Sequence, residues 1–228
     1  MNFGQFKNLV RTAVELGDTL DDVIPQFFNM AVRQIEGQHD FVDLQWWRRF
    51  TLQADEVPTI QIPPSYKRID FLRVNFETRE EEPPQWKRLD RVAGHRLANR
   101  KGWPDRFWVQ GRQYVVIDAM PPKDIEAEIL LYTFSEMPEE DEDSHWLLDV
   151  SPQTVFARVM LDLAAFQVKE AGSADWQIYQ NQWEQGLEKL IEADNWNRDS
   201  GTVEEMEYSP DHLDEAWFYR MRGDNDAQ

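Results

Sequence analysis

Apolar positions recur at two different periods along this chain of 228 residues. Near the N-terminus, and again from about residue 150 to residue 196, they recur every three or four residues, which is typical of amphipathic helices. Between about residues 48 and 134 they alternate or form short runs broken by proline and glycine, which indicates β-strands. The pattern predicts an α+β fold, in which N- and C-terminal helices form an antiparallel bundle with a small inserted β-sheet module and an extended C-terminal arm.

Two helices are predicted in the N-terminal segment. The first begins near Phe3 and ends before Gly17, which suits a left-handed helix cap. The second is expected to take Thr19 or Asp21 as its N-cap and to hold Pro25 in its first turn, where a missing N–H removes no hydrogen bond. Their apolar stripes predict a packed helical hairpin.

The inserted module is expected to contain several short strands. Three of them fall near residues 107–110, 113–117 and 126–134, with a turn at Gly111 and Arg112. Residues 86–89 are predicted to form a further strand, after which Asp90 should cap a short helix through Ala98. The heavy pair Trp46 and Trp47 is interpreted as packing. The segment before residue 86 is predicted to be an exposed hairpin tip because it is charged and stiffened by proline; it contains Arg79, Glu80, Glu81, Glu82, Pro83 and Pro84.

Two long helices are predicted after the module. Ser151 should cap the first, with Pro152 at its first position, and Ser173 should cap the second. Because the connection between them is short, they are expected to be antiparallel neighbours. The predicted organisation is therefore N-terminal helices at 1–47, β module at 48–138, C-terminal helices at 139–197 and an arm at 198–228.

The predicted arm is acidic and contains one apolar patch, formed by Leu213, Trp217, Phe218 and Tyr219. Its three aromatic side chains would gain on the order of 15 kcal/mol gross on burial, before the cost of ordering the arm. We therefore expect the arm to dock on another chain, with folding back on its own helices as the alternative.

Charge is unevenly distributed along the sequence. The net charge is −19, which argues against tight binding to nucleic-acid phosphates. Residues 65–112 nevertheless hold twelve Lys and Arg against seven acids and are net +5, whereas the rest of the chain is −24. This polarity suits docking between unlike surfaces, although a solvated mixed-charge module would look the same. Residues 139–143 are five consecutive acids, which must stay in water or meet a basic partner.

Catalytic motifs are not evident in the sequence. There are no cysteines, and the four histidines lack the spacing of a metal-binding helix. Neither a phosphate-binding glycine loop nor a serine nucleophile elbow occurs, so we predict no enzyme activity, no cofactor and no metal. The ten tryptophans and many acids leave a carbohydrate-active enzyme or a sugar-binding module as the alternative. The absence of a long apolar run predicts a soluble protein made in a cytoplasm, with no membrane partner.

A set of short motifs, taken in order, is similar to a known family. They are PSYKRID at 64–70, GWPDRF at 102–107, Gly111, Asp118, Pro121, Tyr132, EMP at 136–138 and Leu147-Leu148 before a proline-capped helix. Over about residues 1–195 the chain resembles the head-to-tail adaptors of short-tailed bacteriophages, the tail tubular protein A-like family.

This resemblance implies a non-enzymatic structural protein of the virion, assembled in the host cytoplasm and located in the neck. It would form a ring of twelve subunits that joins the portal to the tail nozzle and lines the DNA exit channel, through which double-stranded DNA passes without sequence-specific binding. The apolar patch of the arm would then meet the portal, and residues 79–84 a neighbouring subunit or the nozzle. Another tail or nozzle subunit remains a second interpretation.

Overall fold

The computed structural model describes residues 1–14, 22–76, 85–93, 100–166 and 174–201, which contain both helices and strands. The helices are α1 (Phe3–Val14), α2 (Ile24–Gln38), α3 (Trp146–Val150), α4 (Pro152–Phe166) and α5 (Ala174–Gly201), with a short 3-10 helix at Val42–Leu44. The strands are β1 (Gln45–Leu52), β2 (Thr59–Gln61), β3 (Tyr66–Asn75), β4 (Trp86–Arg88), β5 (Asp90–Arg91), β6 (Arg100–Lys101), β7 (Arg106–Gln110), β8 (Tyr114–Ile117), β9 (Ala119–Met120) and β10 (Ile125–Thr133). The prediction of a mixed helix and sheet fold is confirmed.

The strands form three sheets. Two have four strands, in the orders β1-β10-β3-β4 and β2-β8-β7-β5, and β6 pairs with β9 in a third. The β3–β4 and β7–β8 pairs are antiparallel, whereas β5 and β6 pair in parallel with β7 and β9. The module is therefore more than a meander, because short segments distant in sequence pair across it.

The chain divides into two compact units. The first comprises Met1–Trp46, Ser65–Arg68 and Tyr132–Arg198, and the second includes Trp47–Pro64 and Ile69–Leu131. None of the helices within the described ranges is long and apolar enough to cross a membrane.

The first unit has a helical core centred on α4, which packs against α1, α2 and α3. Phe6, Phe28 and Leu147 are at most 1% exposed within this core. Helix α5 approaches α4 very closely at Gly186, where an added Cβ would lie 2.1 Å from Thr154 Oγ1. A glycine is therefore required at this crossing.

The second unit buries apolar side chains from both four-stranded sheets, including Leu72, Ile129 and Ile117. Its β7–β8 hairpin turns at Gly111 and Arg112, which have φ values of 62° and 60°. Both residues are in the left-handed region, as a type I′ turn requires, so the predicted turn is confirmed.

Several helix boundaries follow their predicted signals. Pro25 lies in the first turn of α2 and Pro152 begins α4. The N-cap of α2, however, is Val23 without a side-chain hydrogen bond, so the prediction of Thr19 or Asp21 as the cap is wrong. Gly17 and Ser173 lie outside the described residues.

Two other local predictions are corrected by the structure. Asp90 does not begin a helix, because Asp90 and Arg91 form β5 and pair with Arg106 and Phe107 of β7. Helix α5 continues to Gly201, past the point at which its apolar pattern ends. Asp90 is in a strand because its backbone pairs with β7, and this pairing leaves no hydrophobic pattern near residue 90. The last residues of α5 are polar, so the helix continues there without an apolar stripe that would reveal it.

Candidate functional site

The two segments predicted to contact partners both lie outside the described residues. One is the tip at Arg79, Glu80, Glu81, Glu82, Pro83 and Pro84, and the other is the patch at Leu213, Trp217, Phe218 and Tyr219. Strands β3 and β4, which flank the first segment, pair in antiparallel fashion. Two surfaces of the described residues offer further candidates for partner contact.

The first surface is one face of the β1-β10-β3-β4 sheet, where arginines surround a buried carboxylate. Glu128 of β10 is 0% exposed. Arg49 Nε of β1 donates to Glu128 Oε1 at 2.7 Å, and Arg73 Nε of β3 donates to Oε2 at 2.6 Å. A buried carboxylate is tolerated only when it is paired and hydrogen-bonded, and the two guanidinium groups satisfy both of its oxygens.

Tryptophan rings pack against these guanidinium groups. Arg49 lies 5.8 Å from the Trp47 ring and 5.6 Å from the Trp86 ring, and Arg73 lies 4.8 Å from Trp86. These are cation–π distances. The interpretation of Trp47 as a packing residue is only partly right, because the residue is 39% exposed and its ring lies against an arginine.

Strand β4 adds a third arginine to the same face. Arg88 is directly opposite Arg73 in the β3–β4 register, and residues opposite one another share a face. We call this surface the arginine–tryptophan face and define it by Trp47, Arg49, Arg73, Trp86 and Arg88. The described charged groups of this face are three arginines and the carboxylate of Glu128, and their charges sum to a positive value. Trp and Arg are also the residues most enriched among the side chains that dominate binding energy at interfaces.

The second surface is the run of acids at residues 139–143, which we call the acidic loop. Asp143 Oδ2 accepts hydrogen bonds at 2.9 Å from the backbone N–H groups of both Glu140 and Glu139, and these bonds lower the pKa of the Asp143 carboxyl. Four of the five residues are exposed. One carboxylate therefore fixes the backbone of the loop, and the side chains of Glu139, Glu140 and Glu142 are exposed to solvent.

The acidic loop is also tied to the start of α1. Phe3 N donates to Asp143 O at 2.9 Å and Gly4 N to Asp141 O at 2.8 Å, while Lys7 forms an ion pair with the Asp141 carboxylate. Negative charge is favoured at a helix N-terminus because the first N–H groups and the helix dipole are positive there. These contacts explain how five consecutive acids keep a defined conformation.

An open cleft of about 710 Å³ lies beside the acidic loop. Its lining consists of Glu136, Met137, Glu139, Glu140 and Asp143. None of the tryptophans in the described ranges lines it, whereas a sugar-binding site is expected to have an aromatic platform. Among the described residues, no group of His, Asp and Glu has an arrangement that could hold a metal ion.

A Ser, His and Glu constellation in the first unit resembles a hydrolase site in composition. Ser135 Oγ lies 2.7 Å from His145 Nε2 and hydrogen-bonds to the carboxylate of Glu36, which is 0% exposed. Leu147 N donates to His145 Nδ1 at 3.2 Å, so Nδ1 carries no proton and the neutral ring is protonated at Nε2. His145 Nε2 therefore donates to Ser135, whose hydroxyl donates to Glu36.

This direction of donation is opposite to that of a catalytic triad, in which Nε2 must accept the serine proton. Burial, followed by the nearby Arg33 charge, lowers the pKa of His145 to about 4, which keeps the ring neutral. Trp146 Nε1 also donates to Glu36 Oε1 at 3.0 Å. The constellation is thus a structural network that joins α2, α3 and the chain after β10.

A second buried carboxylate anchors α5 within the first unit. Asp194 Oδ1 accepts from Val42 N at 2.8 Å, and Oδ2 lies 2.8 Å from His39 Nε2 and 2.9 Å from Arg198 Nε. Arg198 also donates to the Tyr132 hydroxyl at 3.3 Å. These bonds hold the last turns of α5 in place.

Sequence patterns gave only a weak signal for the arginine–tryptophan face. Glu128 interrupts an apolar strand, and Arg73 lies between Leu72 and Val74 in β3. A charge at such a position suggests a buried ion pair, but the sequence does not show which strands are adjacent and therefore which residues are paired. The partners are separated by 79 and 55 residues in the chain.

A chain whose described surface carries a positive aromatic face and an ordered acidic loop has the features of a protein that docks on other macromolecules. The family described as SU10 adaptor protein matches residues 1–205. The chain therefore belongs to the SU10 adaptor protein family, and its role is that of a structural phage adaptor.

Other comparisons add little to this assignment. No curated protein matches the chain. It is similar to a chain in the solved structure "Neck of empty GTA particle computed with C6 symmetry", with 17% identity and a TM-score of 0.25; the match covers 80% of this chain and 88% of that chain. A likeness at this TM-score carries no argument about function.

Proposed function

We propose that the protein is a head-to-tail adaptor of a short-tailed bacteriophage, which forms a ring between the portal and the tail nozzle. The observation that carries this proposal is the family match over residues 1–205. The protein would be assembled in the host cytoplasm and would reside in the virion neck, where the ring surrounds the channel for DNA ejection. Twelve copies are proposed, with the helices of each copy arranged as an antiparallel bundle that carries the β module.

A closed ring requires two different, mutually complementary surfaces on each subunit. The arginine–tryptophan face and the acidic loop are unlike surfaces of this kind. A net charge of −19 also fits the lining of a DNA channel, because like-charge repulsion keeps DNA from adhering as it passes.

Portal binding is proposed for the C-terminal arm through Leu213, Trp217, Phe218 and Tyr219. Trp196, near the end of α5, is 74% exposed and could supply a further apolar contact close to where the arm begins. The segment at 79–84 is proposed to meet a neighbouring subunit or the nozzle.

Co-sedimentation with the cognate portal tests the proposal. The full chain should sediment with the portal particle, whereas a chain truncated after Gly201 should lose most of this binding. This truncation keeps all of α5 and the anchor at Asp194, so circular dichroism should show an unchanged helical core. Undiminished portal binding by the truncated chain would refute the role of the arm, and failure of the full chain to bind would refute the adaptor assignment in this particle.

A further inference from the structure

We propose that, in the ring, the arginine–tryptophan face of one copy docks on the acidic loop of the neighbouring copy. The inference rests on the proposed ring and assigns its subunit interface to particular residues. It commits to a second copy of this chain as the occupant of the face.

Arg88 gives the arginine–tryptophan face an exposed positive charge. Arg73 and Arg88 are directly opposite each other on adjacent strands, an arrangement that is destabilising for like charges unless anions lie nearby. Glu128 is fully occupied by Arg49 and Arg73. Arg88 donates to the backbone oxygen of Asp70, and none of the carboxylates in the described ranges forms an ion pair with it. An anionic partner would therefore be attracted most strongly at Arg88.

The acidic loop supplies an anionic surface with a fixed shape. Its backbone is held by the Asp143 carboxylate and by the start of α1, so little conformational entropy remains to be lost on docking. Glu139 and Glu140 line the adjacent cleft together with Met137. The cleft thus offers carboxylates for arginines and a thioether for an exposed ring such as Trp47.

Helix α5 also bears acids, but they fit the face less well. Glu184, Glu188 and Glu192 are exposed and lie one helical turn apart. They form a single row along the helix, one turn before the exposed Trp196, and they are not among the residues that line the cleft. We therefore assign the docking surface to the acidic loop and use α5 as a control.

The geometry of a head-to-tail ring allows a charge-swap test. In a ring of Arg88→Glu subunits, Glu at position 88 would face Glu140 at every interface. In a ring of Glu140→Lys subunits, Lys at position 140 would face Arg88. When the two variants are mixed and alternate, every interface again joins opposite charges.

Ring assembly would be measured by native mass spectrometry and by negative-stain counting of rings on the cognate portal. Arg88→Glu and Glu140→Lys alone should each weaken assembly on the order of tenfold or more, since opposed like charges replace a complementary pair. The equimolar mixture should return to near wild-type assembly. The matched controls Arg106→Glu, an exposed residue of β7, and Glu188→Lys, on α5, should change assembly less than about threefold.

Four results would overturn the proposal. Wild-type assembly by both single variants would refute the assigned interface and leave the adaptor ring standing. Failure of the folded, mixed variants to recover would refute the pairing of the two surfaces. Normal rings of Arg88→Glu that no longer bind the nozzle would assign the face to the nozzle instead. If the wild-type protein forms no ring at all, the proposed function itself fails, and this interface with it.

Discussion

The crossing of α4 and α5 predicts that one chemical change, glycine to alanine, has opposite effects at two helical positions. Alanine is more favourable than glycine within a helix by about 1 kcal/mol. At Gly37 in the last turn of α2, an added Cβ meets no atom within 4 Å. Gly37→Ala should therefore stabilise the protein by up to about 1 kcal/mol.

At Gly186 the same methyl group would collide with α4. It would lie 2.1 Å from Thr154 Oγ1 and 3.0 Å from Thr154 Cβ. Rotation of the Thr154 side chain moves Oγ1 but leaves Cβ in place, so the helices must separate. Overpacking of this kind costs about 1–3 kcal/mol, and the severity of the contact favours the upper end. After the gain in helix propensity, Gly186→Ala should destabilise by about 1–2 kcal/mol.

Urea unfolding followed by circular dichroism at 222 nm measures both changes. A third protein tests the cause: in a Thr154→Gly background, which removes Cβ, Oγ1 and Cγ2 together, Gly186→Ala should become stabilising. If Gly186→Ala is as stable as the wild type, or if the Thr154→Gly background does not reverse its sign, the close crossing of these helices is wrong.

Further predictions concern the charged groups. Glu128→Gln removes the counter-charge of Arg49 and Arg73 and should lower the free energy of unfolding by about 2–3 kcal/mol. The loss should be smaller than for a fully buried ion pair because both arginines reach solvent. Equal unfolding midpoints of the variant and the wild type in urea would contradict this. The pKa of His145 is about 4 in the folded state and 6.5 in the unfolded state, so the unfolded chain binds the proton first as the pH falls. The neutral, buried ring therefore contributes about 3 kcal/mol to the free energy of unfolding above pH 6.5, and this contribution is lost as the pH falls towards 4. Between pH 7 and 5, His145→Gln should flatten the fall in unfolding free energy, and an unchanged slope would count against it. Asp143→Ala should loosen the acidic loop and weaken ring assembly. Asp143→Asn keeps an acceptor oxygen for the backbone N–H groups of Glu139 and Glu140 and should therefore retain part of the assembly. Identical assembly of the two variants would show that these hydrogen bonds do not matter for ring formation.

Local signals in the sequence were sufficient for many elements. The start of α4 at Pro152 and the β7–β8 turn at Gly111 and Arg112 depend on backbone preferences of the residues themselves. The apolar run that predicts β10 likewise reflects the burial of most residues of that strand. Such features are readable because the physical cause lies within a few residues.

Other features depend on residues that are distant in sequence. Asp90 has the composition of an N-cap, but its backbone pairs with β7, which no local pattern specifies. The sequence predicts only a packing role for Trp47, because it does not show that Arg49 and Trp86 share the surface of that residue. The acidic loop was recognised as a composition break, yet its attachment to the start of α1 depends on contacts across more than 130 residues of chain.

The central claim, a ring-forming adaptor, is tested most directly by electron microscopy of the protein mixed with its cognate portal. The account predicts one ring, coaxial with the portal and on its tail-facing side, with an open central channel and twelve copies of this chain. Intact portals that carry no ring at saturating protein, or that bind isolated monomers without closure, would contradict it.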